Sequence, residues 1–298
     1  MKKLMFIANA RAGRGRSSAA FFDAACAFSK AGYLVDIRKP ERYGDIIRFA
    51  SEAKDYDLLV CAGGDGTLSS TLTGLMKTEG AHPPVGYIPC GSTNDFAASL
   101  GIPLTVPAAV ENILTGTPHD LDLGFWGGIE FIYVASFGAF TKASYAAPQD
   151  IKNALGGAAY VLEGARDLDT LRPYRVSIDT EEEHIEGEFL FGAISNSTSI
   201  AGRIKLSKRI VKMDDGLFEL VLVPQPKNME DLYKLFQTLA KREFDPRYVM
   251  LRHVKQLRFR TAEDIPWSLD GEYAASREEV FIENRHRAYQ LILPKKDS

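Results

Sequence analysis

The 298-residue sequence has no apolar run long enough to cross a bilayer and no excess of positive charge. A transmembrane helix needs about 20 consecutive apolar residues, and the first apolar run, Leu4–Ala8, is also too short for the core of a secretory signal. The net charge of −3 provides no general field that would attract nucleic acid. These absences predict a cytoplasmic protein with no nucleic-acid partner, which contacts a membrane only peripherally, at its inner face.

Cysteine is scarce as well. Cys26, Cys61 and Cys90 are an odd number of thiols, lie among apolar neighbours and do not have the spacing of a metal site. We therefore expect three buried thiols in a reducing compartment. The five histidines are scattered without metal-like spacing. No GxxxxGK[ST] motif occurs, which excludes a P-loop nucleotide site.

The first part of the chain alternates between short apolar segments and segments with helical spacing. Strands are predicted at KLMFIAN, YLVDIRK, YDLLVCAGG and PVGYIPCG, with a helix after each. This alternation predicts an α/β domain with a mostly parallel sheet and helices on both faces. We place it at residues 1–120, with 284–298 returning to it as a further strand.

The pattern changes after about residue 121, where short segments alternate between apolar and polar residues and are separated by turn signals. Such segments predict antiparallel strands, and we place a second domain at 121–283. Two helices are predicted to interrupt it, at about 150–168 and 228–242. The first helix is typical of an ordinary core element, although it would also suit a cover over a lipid cleft.

Two glycine-rich loops follow neighbouring strands of the predicted sheet. Residues 63–69 read GGDGTLS, and residues 91–95 read GSTND. Glycine allows a positive φ or a close approach to the backbone, and ligands bind where parallel strands end. A tight strand-to-helix turn would explain one such loop without a ligand. Two neighbouring loops with backbone N–H groups at helix N-termini predict a site for a phosphate chain.

These motifs resemble those of the diacylglycerol kinase catalytic family, which also contains sphingosine and ceramide kinases and is distantly related to the NAD kinases. The resemblance extends over nearly the whole chain, in the order GGDGTLSSTLTGL, GYIPCGSTNDFAASLGIP, LDLG, KMDDGLFELVLV and SLDGEY. The segment TKASYAAPQDIKNALGGAAYVLEG is similar to bacterial members. The resemblance implies that the first domain is an α/β nucleotide-binding domain, that the second is a larger antiparallel β-sandwich domain for the lipid substrate, and that ATP binds in the cleft between them. It also implies that the γ-phosphate passes to a lipid hydroxyl, most simply that of diacylglycerol, to give phosphatidic acid.

The resemblance also implies roles for individual residues. Glu272 is implied as the general base, and Asp65 as the group that organises the active-site magnesium, with Asp95 and Asp122 in a supporting water network. A structural magnesium is implied at the Lys212 carbonyl, the Asp215 side chain and the Leu217 carbonyl. The residues implied to bind ATP are Asn9, Ala10, Arg11, Ala12, Gly13, Gly63, Gly64, Asp65, Gly66, Thr67, Leu68, Ser69 and Ser92.

The chemistry of these residues fits phosphoryl transfer. Magnesium prefers oxygen ligands, and a carboxylate can accept the proton of a primary alcohol. Taken alone, however, DGE and DDG are also typical of hairpin turns, so a structural and a functional interpretation both stand. Two positions depart from the family pattern. Pro40 stands where relatives often have a threonine that reaches the nucleotide, and NARAG replaces an Asn-Pro start.

Three functions remain open. The lipid kinase is favoured by KMDDGLF and by the segment 138–164. A kinase of another alcohol, such as phosphatidylglycerol, a sphingoid base or a soluble NAD-like substrate, would use the same groups. A non-catalytic lipid- or nucleotide-binding module is disfavoured by Asp65 and Glu272. A homodimer is also compatible with the sequence.

One segment of the chain is rich in basic residues. This basic run comprises Arg203, Lys205, Lys208, Arg209 and Lys212. It is either a solvated face or a contact for anionic headgroups.

Overall fold

The computed structural model divides the chain into two compact units. Unit 1 comprises Met1–Leu123 and His286–Ser298, and unit 2 comprises Gly124–Arg285. The residues that the structure describes are 1–10, 18–91, 94–138, 172–200, 204–206, 210–241 and 244–295. The helix predicted at 150–168 lies outside them. Within the described residues, no helix has both the length and the apolar character needed to span a bilayer.

Unit 1 alternates between strands and helices, as predicted. Its elements are β1 (Lys2–Ala8), α1 (Ser18–Lys30), β2 (Tyr33–Arg38), α2 (Asp45–Ser51), a 3₁₀ turn (Ala53–Asp55), β3 (Leu58–Gly63), α3 (Asp65–Met76), β4 (Val85–Pro89), α4 (Asp95–Leu100) and α5 (Val106–Thr115). The next strand, β5 (Thr117–Trp126), begins in unit 1 and ends in unit 2.

Unit 2 consists mainly of strands. They are β6 (Ile129–Phe131), β7 (Val134–Gly138), β8 (Tyr174–Thr180), β9 (His184–Ser195), β10 (Ser199–Ile200), β11 (Ile204–Lys205), β12 (Phe218–Pro224), β13 (Met250–Val254), β14 (Gln256–Arg260), β15 (Trp267–Leu269) and β16 (Glu272–Ala274). The helix α6 (Met229–Lys241) lies between β12 and β13, where a helix was predicted. The last strand, β17 (Glu279–Leu293), begins in unit 2 and ends in unit 1.

The sheet of unit 1 is parallel, in the order β4-β3-β1-β2, and the end of β17 pairs with β4 through Leu291 and Val85. Strands β3 and β4 are buried along their whole length, as expected for a parallel sheet covered on both faces. On one face, Phe6 of β1 makes edge-to-face contacts with Phe21 and Phe28 of α1. The predicted α/β domain is therefore confirmed.

Unit 2 is built on antiparallel pairs in the order β16-β15-β7-β9-β8-β14-β17, with β12 paired to both β9 and β13. Its core includes a cluster of aromatic rings, in which the centroids of Phe259 and Trp267 lie 4.9 Å apart and those of Trp126 and Trp267 lie 5.6 Å apart. The larger antiparallel β domain predicted from the sequence is confirmed.

The three cysteines are free thiols, but they are not all buried. Cys61, within β3, and Cys90, directly after β4, are both buried. Cys26 is only partly buried on α1, so the prediction that it is buried is wrong. It lies between Ala25, which packs in the core, and Ala27, which is partly exposed. Cys26 therefore stands at the edge of the apolar face of the helix.

Candidate active site

The GGDGT segment forms the turn from β3 into α3. Gly63 ends the strand, Gly64 is the N-cap with an extended backbone (φ −87°, ψ −176°), and Asp65 is the first helical residue. The Gly64 carbonyl accepts the backbone N–H groups of Thr67 and Leu68 at 2.9 and 3.2 Å. No side chain caps the helix at Gly64. These two N–H groups are therefore engaged within the turn, and what the start of α3 offers an anion is the positive end of the helix dipole.

The second glycine loop lies against the first. A Cβ atom built on Gly91 would lie 2.7 Å from the Cα of Gly64, and one built on Gly64 would lie 3.2 Å from the Cα of Gly91. A Cβ on Gly63 would lie 2.2 Å from the Thr67 Oγ1. None of these three glycines has a positive φ. Glycine is required here because two backbones approach closely, and the two loops form one surface.

Asn94 holds the second loop in place. Its side-chain oxygen accepts the Gly91 N–H at 2.8 Å, and its amide group donates to the Gly91 carbonyl at 3.0 Å. Asn94 is buried and has a φ of 50°, a conformation that asparagine tolerates better than most residues. The Cys90 N–H donates to the Gly63 carbonyl at 2.7 Å, which joins the two loops. Ser92, predicted to contact the phosphates, lies outside the described residues.

Asn9 connects the end of β1 to the same turn. Its N–H donates to the Ala62 carbonyl at 3.0 Å, and its side-chain amide donates to the Thr67 Oγ1 at 2.9 Å. The predicted Asn9 loop and GGDGT loop are thus brought together. Of the other predicted nucleotide contacts, Leu68 is buried, Ser69 is half-buried, and Ala10 and Gly66 are exposed. Arg11, Ala12 and Gly13 lie outside the described residues.

Tyr87 is a site residue that the motifs did not reveal. It is buried in β4, its hydroxyl donates to the Gly63 carbonyl at 3.3 Å, and the same oxygen lies 3.5 Å from the Asp65 Oδ1. Burial, with the nearby Asp65 carboxylate as a lesser cause, raises the pKa of Tyr87 far above its ordinary value. The phenol therefore stays neutral and acts as a hydrogen-bond donor beside Asp65.

Asp95 and Asp122, both predicted to belong to a supporting water network, are in unit 1. Asp122 is fully buried in β5, and its Oδ1 accepts the backbone N–H of Arg287 at 2.8 Å. Arg287 has a φ of 52°, which is unusual for a residue other than glycine. Asp95 is the first residue of α4, but the structure does not describe its side chain.

Glu272 lies in a tight hairpin of unit 2. It pairs with Leu269 across the β15–β16 turn, which leaves a two-residue loop of Asp270 and Gly271 with φ values of 49° and 91°. Two positive φ values are what a type I′ hairpin turn requires, and Asp-Gly is a preferred sequence for it. Glu272 is exposed on β16, the terminal strand in the sheet order. The hairpin interpretation of DGE is confirmed, and it leaves the carboxylate accessible to a substrate.

The predicted structural magnesium site lies in the turn before β12. The Asp215 Oδ1 accepts the Leu217 N–H at 3.1 Å, and Gly216 between them has a φ of 79°. Asp215 and Lys212 are exposed. Over the described ranges, no group of three His, Cys, Asp or Glu side chains could hold a metal ion. A carboxylate and two carbonyl oxygens are nevertheless the hard donors that magnesium prefers, so these residues fit the ion.

Comparison with known proteins gives consistent results. Residues 3–126 match the family described as "Diacylglycerol kinase catalytic domain". A diacylglycerol kinase of Bacillus subtilis (strain 168) is 29% identical, over 99% of this chain and 97% of that protein. One from Staphylococcus epidermidis (RP62A) is 30% identical, over 99% of this chain and 93% of that protein. The solved structure of a putative diacylglycerol kinase from Bacillus anthracis str. Sterne has the same fold. Its TM-score is 0.81 at 23% identity, over 98% of this chain and 95% of that one.

Proposed function

The chain belongs to the diacylglycerol kinase family and is therefore a kinase, and from this premise we propose that it transfers the γ-phosphate of ATP to the primary hydroxyl of a lipid. We take diacylglycerol as the acceptor, because the similar proteins are named for it. The product would be phosphatidic acid. The reaction would require magnesium, as phosphoryl transfer generally does.

The observation that carries this proposal is the contact between the two glycine loops. Gly64 and Gly91 approach so closely that a Cβ on Gly91 would lie 2.7 Å from the other backbone. The start of α3, directly after Gly64, adds the positive end of a helix dipole. A glycine surface without side chains at a helix N-terminus suits a phosphate chain, which must approach the backbone closely.

The residues of unit 1 would bind and orient the nucleotide. The first turn of α3 would donate to the phosphates, while Asn9 keeps Thr67 in place through its 2.9 Å hydrogen bond. Asp65 lies at the start of α3, 3.5 Å from the neutral Tyr87 hydroxyl, and it would hold magnesium. Magnesium, when bound, neutralises charge that develops on the transferred phosphoryl group.

Glu272 of unit 2 would accept the proton of the lipid hydroxyl. A general base must reach its substrate by a direct hydrogen bond or through one water. Glu272 is exposed, and the neighbouring Tyr273 is 65% exposed. This exposure leaves the Glu272 carboxylate accessible to an acceptor hydroxyl.

A lipid acceptor requires contact with a membrane, and we propose that this contact is peripheral and on the cytoplasmic side. Most of the basic run that the sequence singles out, including Arg203, Lys208 and Arg209, lies outside the described residues. Lys212, at the end of the run, is exposed. Attraction by such a run would depend on anionic lipid and weaken with salt.

The proposal is tested by measuring phosphate transfer from labelled ATP in mixed micelles. Diacylglycerol, phosphatidylglycerol, sphingosine and NAD are compared as acceptors, with and without magnesium. We expect the highest kcat/KM with diacylglycerol and no transfer without magnesium. Glu272→Gln should lower kcat by about 10²–10⁴-fold, whereas Glu278→Gln, at another exposed glutamate of unit 2, should not. Preferential phosphorylation of NAD, or no transfer to any of the four acceptors, would contradict the proposal.

A further inference from the structure

The hairpin that carries Glu272 is held by more than its turn type. A type I′ turn accounts for the positive φ values of Asp270 and Gly271, but it does not require any contact from the Asp270 side chain. Residues at the tip of a hairpin commonly face solvent. Asp270 is only 8% exposed, and its carboxylate points back into unit 2.

The carboxylate accepts three consecutive backbone N–H groups. Its Oδ2 accepts Ile132 at 2.6 Å, and its Oδ1 accepts Tyr133 at 3.0 Å and Val134 at 3.1 Å. These donors lie in the connection from β6 to β7 and at the start of β7. Hydrogen bonds to an ionised carboxylate are about twice as strong as those between neutral groups, so these three bonds fix the turn firmly to β7.

The main chain of Asp270 is attached to the same segment. Its N–H donates to the Val134 carbonyl at 2.8 Å, and its carbonyl accepts the Tyr133 hydroxyl at 3.1 Å. The Tyr133 carbonyl in turn accepts the Asn196 N–H at 2.9 Å. Residues 132–134 therefore connect the turn to the end of β9, and Asp270 contacts this segment through its side chain and through both of its main-chain groups.

Apart from the turn, Glu272 is held by its pairing with Leu269 of β15, a strand that pairs with β7. The strand β16 is three residues long and pairs only with β15 among the described strands. Glu272 and Tyr273 are both exposed. The direction of the Glu272 side chain therefore depends on the backbone of the turn two residues before it.

We infer that Asp270 is a positioning residue for the phosphoryl transfer, which acts by fixing the hairpin turn so that the Glu272 carboxylate is held ready for the substrate hydroxyl. This inference rests on the proposed function, because it takes Glu272 as the base. A misplacement of about 1 Å can cost a reaction about 100-fold, so a turn that moves would lower turnover without altering the nucleotide site of unit 1.

Asp270→Asn separates the role of the carboxylate from that of the backbone. Asparagine tolerates the left-handed conformation at least as well as aspartate, and it has nearly the same size. It replaces one acceptor oxygen with an NH₂ donor, which would face a backbone N–H group. Asp270→Gly also keeps the turn but removes the side chain, and it serves as the second variant.

Glu263→Gln is the matched control. Glu263 is in the same unit, and its carboxylate also accepts a backbone N–H, that of Arg175, at 2.7 Å. Like Asp270→Asn, this variant keeps one acceptor oxygen and replaces the other, here the Oε2 that accepts the Arg172 guanidinium at 2.8 Å, so it reports the effect of losing a carboxylate away from the Glu272 turn.

The experiment measures kcat and the KM for ATP, below the melting temperature of each variant, in the wild-type and Glu272→Gln backgrounds. We expect Asp270→Asn and Asp270→Gly to lower kcat by about 10- to 100-fold and to leave the KM for ATP within about twofold. Because both would act through Glu272, neither should lower kcat further in the Glu272→Gln background. Glu263→Gln should leave both constants within about twofold.

Three results would overturn the inference. If Glu272→Gln is inactive but Asp270→Asn has the same kcat as Glu263→Gln, the role of Asp270 is refuted and that of Glu272 is not. An equal loss of kcat in both backgrounds would mean that Asp270 acts by another route. Wild-type turnover in Glu272→Gln would instead refute the proposed base, and the inference with it. If Asp270→Asn does not fold, the same criteria apply to Asp270→Gly.

Discussion

Replacing Gly91 with alanine tests directly whether the two glycine loops meet. The new Cβ would lie 2.7 Å from the Cα of Gly64 and 2.8 Å from the Oδ1 of Asn94. Both neighbours resist movement, since one is backbone and the other is the side chain that accepts the Gly91 N–H. The loops would have to separate by several tenths of an ångström.

The expected loss of stability follows from two opposing terms. Overpacking of a well-packed site typically costs about 1–3 kcal/mol, while replacing glycine with alanine stabilises by about 0.4–1 kcal/mol through the unfolded chain where φ permits it. Gly91 has no positive φ, so the second term applies in full. We expect a net loss of about 1–2 kcal/mol in the free energy of unfolding, which corresponds to a fall in Tm of roughly 2–8 °C.

Thermal unfolding with and without MgATP is the assay. The transition to follow is the one whose midpoint temperature MgATP raises, because a ligand that binds only the native state stabilises that state by mass action. In Gly91→Ala, both the Tm and its rise with MgATP should fall. Gly64→Ala is the graded comparison, since its Cβ would meet the Gly91 Cα at 3.2 Å and need only a small adjustment. An unchanged Tm and MgATP response in Gly91→Ala would refute the contact between the loops.

Three further predictions concern single groups. Glu272→Gln should keep the rise in Tm with MgATP while turnover falls by about 10²–10⁴-fold, and loss of the Tm response would place Glu272 at the nucleotide. Asp215→Ala should lower the Tm and abolish its rise with magnesium alone, whereas Asp214→Ala should not, and a retained rise would place that magnesium elsewhere. Burial raises the pKa of Cys61 to about 12, so a disulfide reagent at pH 8 should modify Cys26 in the native protein but reach Cys61 and Cys90 only after unfolding. Rapid modification of all three thiols would contradict their burial.

Local sequence patterns were sufficient to predict a parallel α/β unit followed by a unit of antiparallel strands. The first strands of unit 1 are short apolar runs, each followed by a helical segment, and in unit 2 the strands β8 and β14 alternate between more and less buried residues, whereas β7 and β12 are buried along nearly their whole length. In β14, for example, Leu257 and Phe259 are buried, whereas Arg258 points outward and forms an ion pair with Glu279. These features depend on residues that are close in the chain, so periodicity reveals them.

The supporting contacts of the site could not be predicted in this way. Tyr87 stands in an apolar run that is typical of a core strand, and its role beside Asp65 arises only when β3 and β4 pair. The Asp-Gly pair of residues 270 and 271 predicted a hairpin. However, the N–H groups that Asp270 accepts belong to residues 136–138 positions away. Such partners follow from long-range pairing, which a local pattern does not contain.

The strand β17 has a consequence for the order in which the protein is completed during synthesis. Its last part belongs to unit 1, where Leu291 pairs with Val85 and the Arg287 N–H donates to the buried Asp122. Residues 1–123 leave the ribosome first, yet they lack this strand until the whole of unit 2 has been made. A nascent chain that ends before residue 286 therefore exposes the edge of β4 and leaves Asp122 without the Arg287 N–H. The first domain to be synthesised is thus the last that can finish folding.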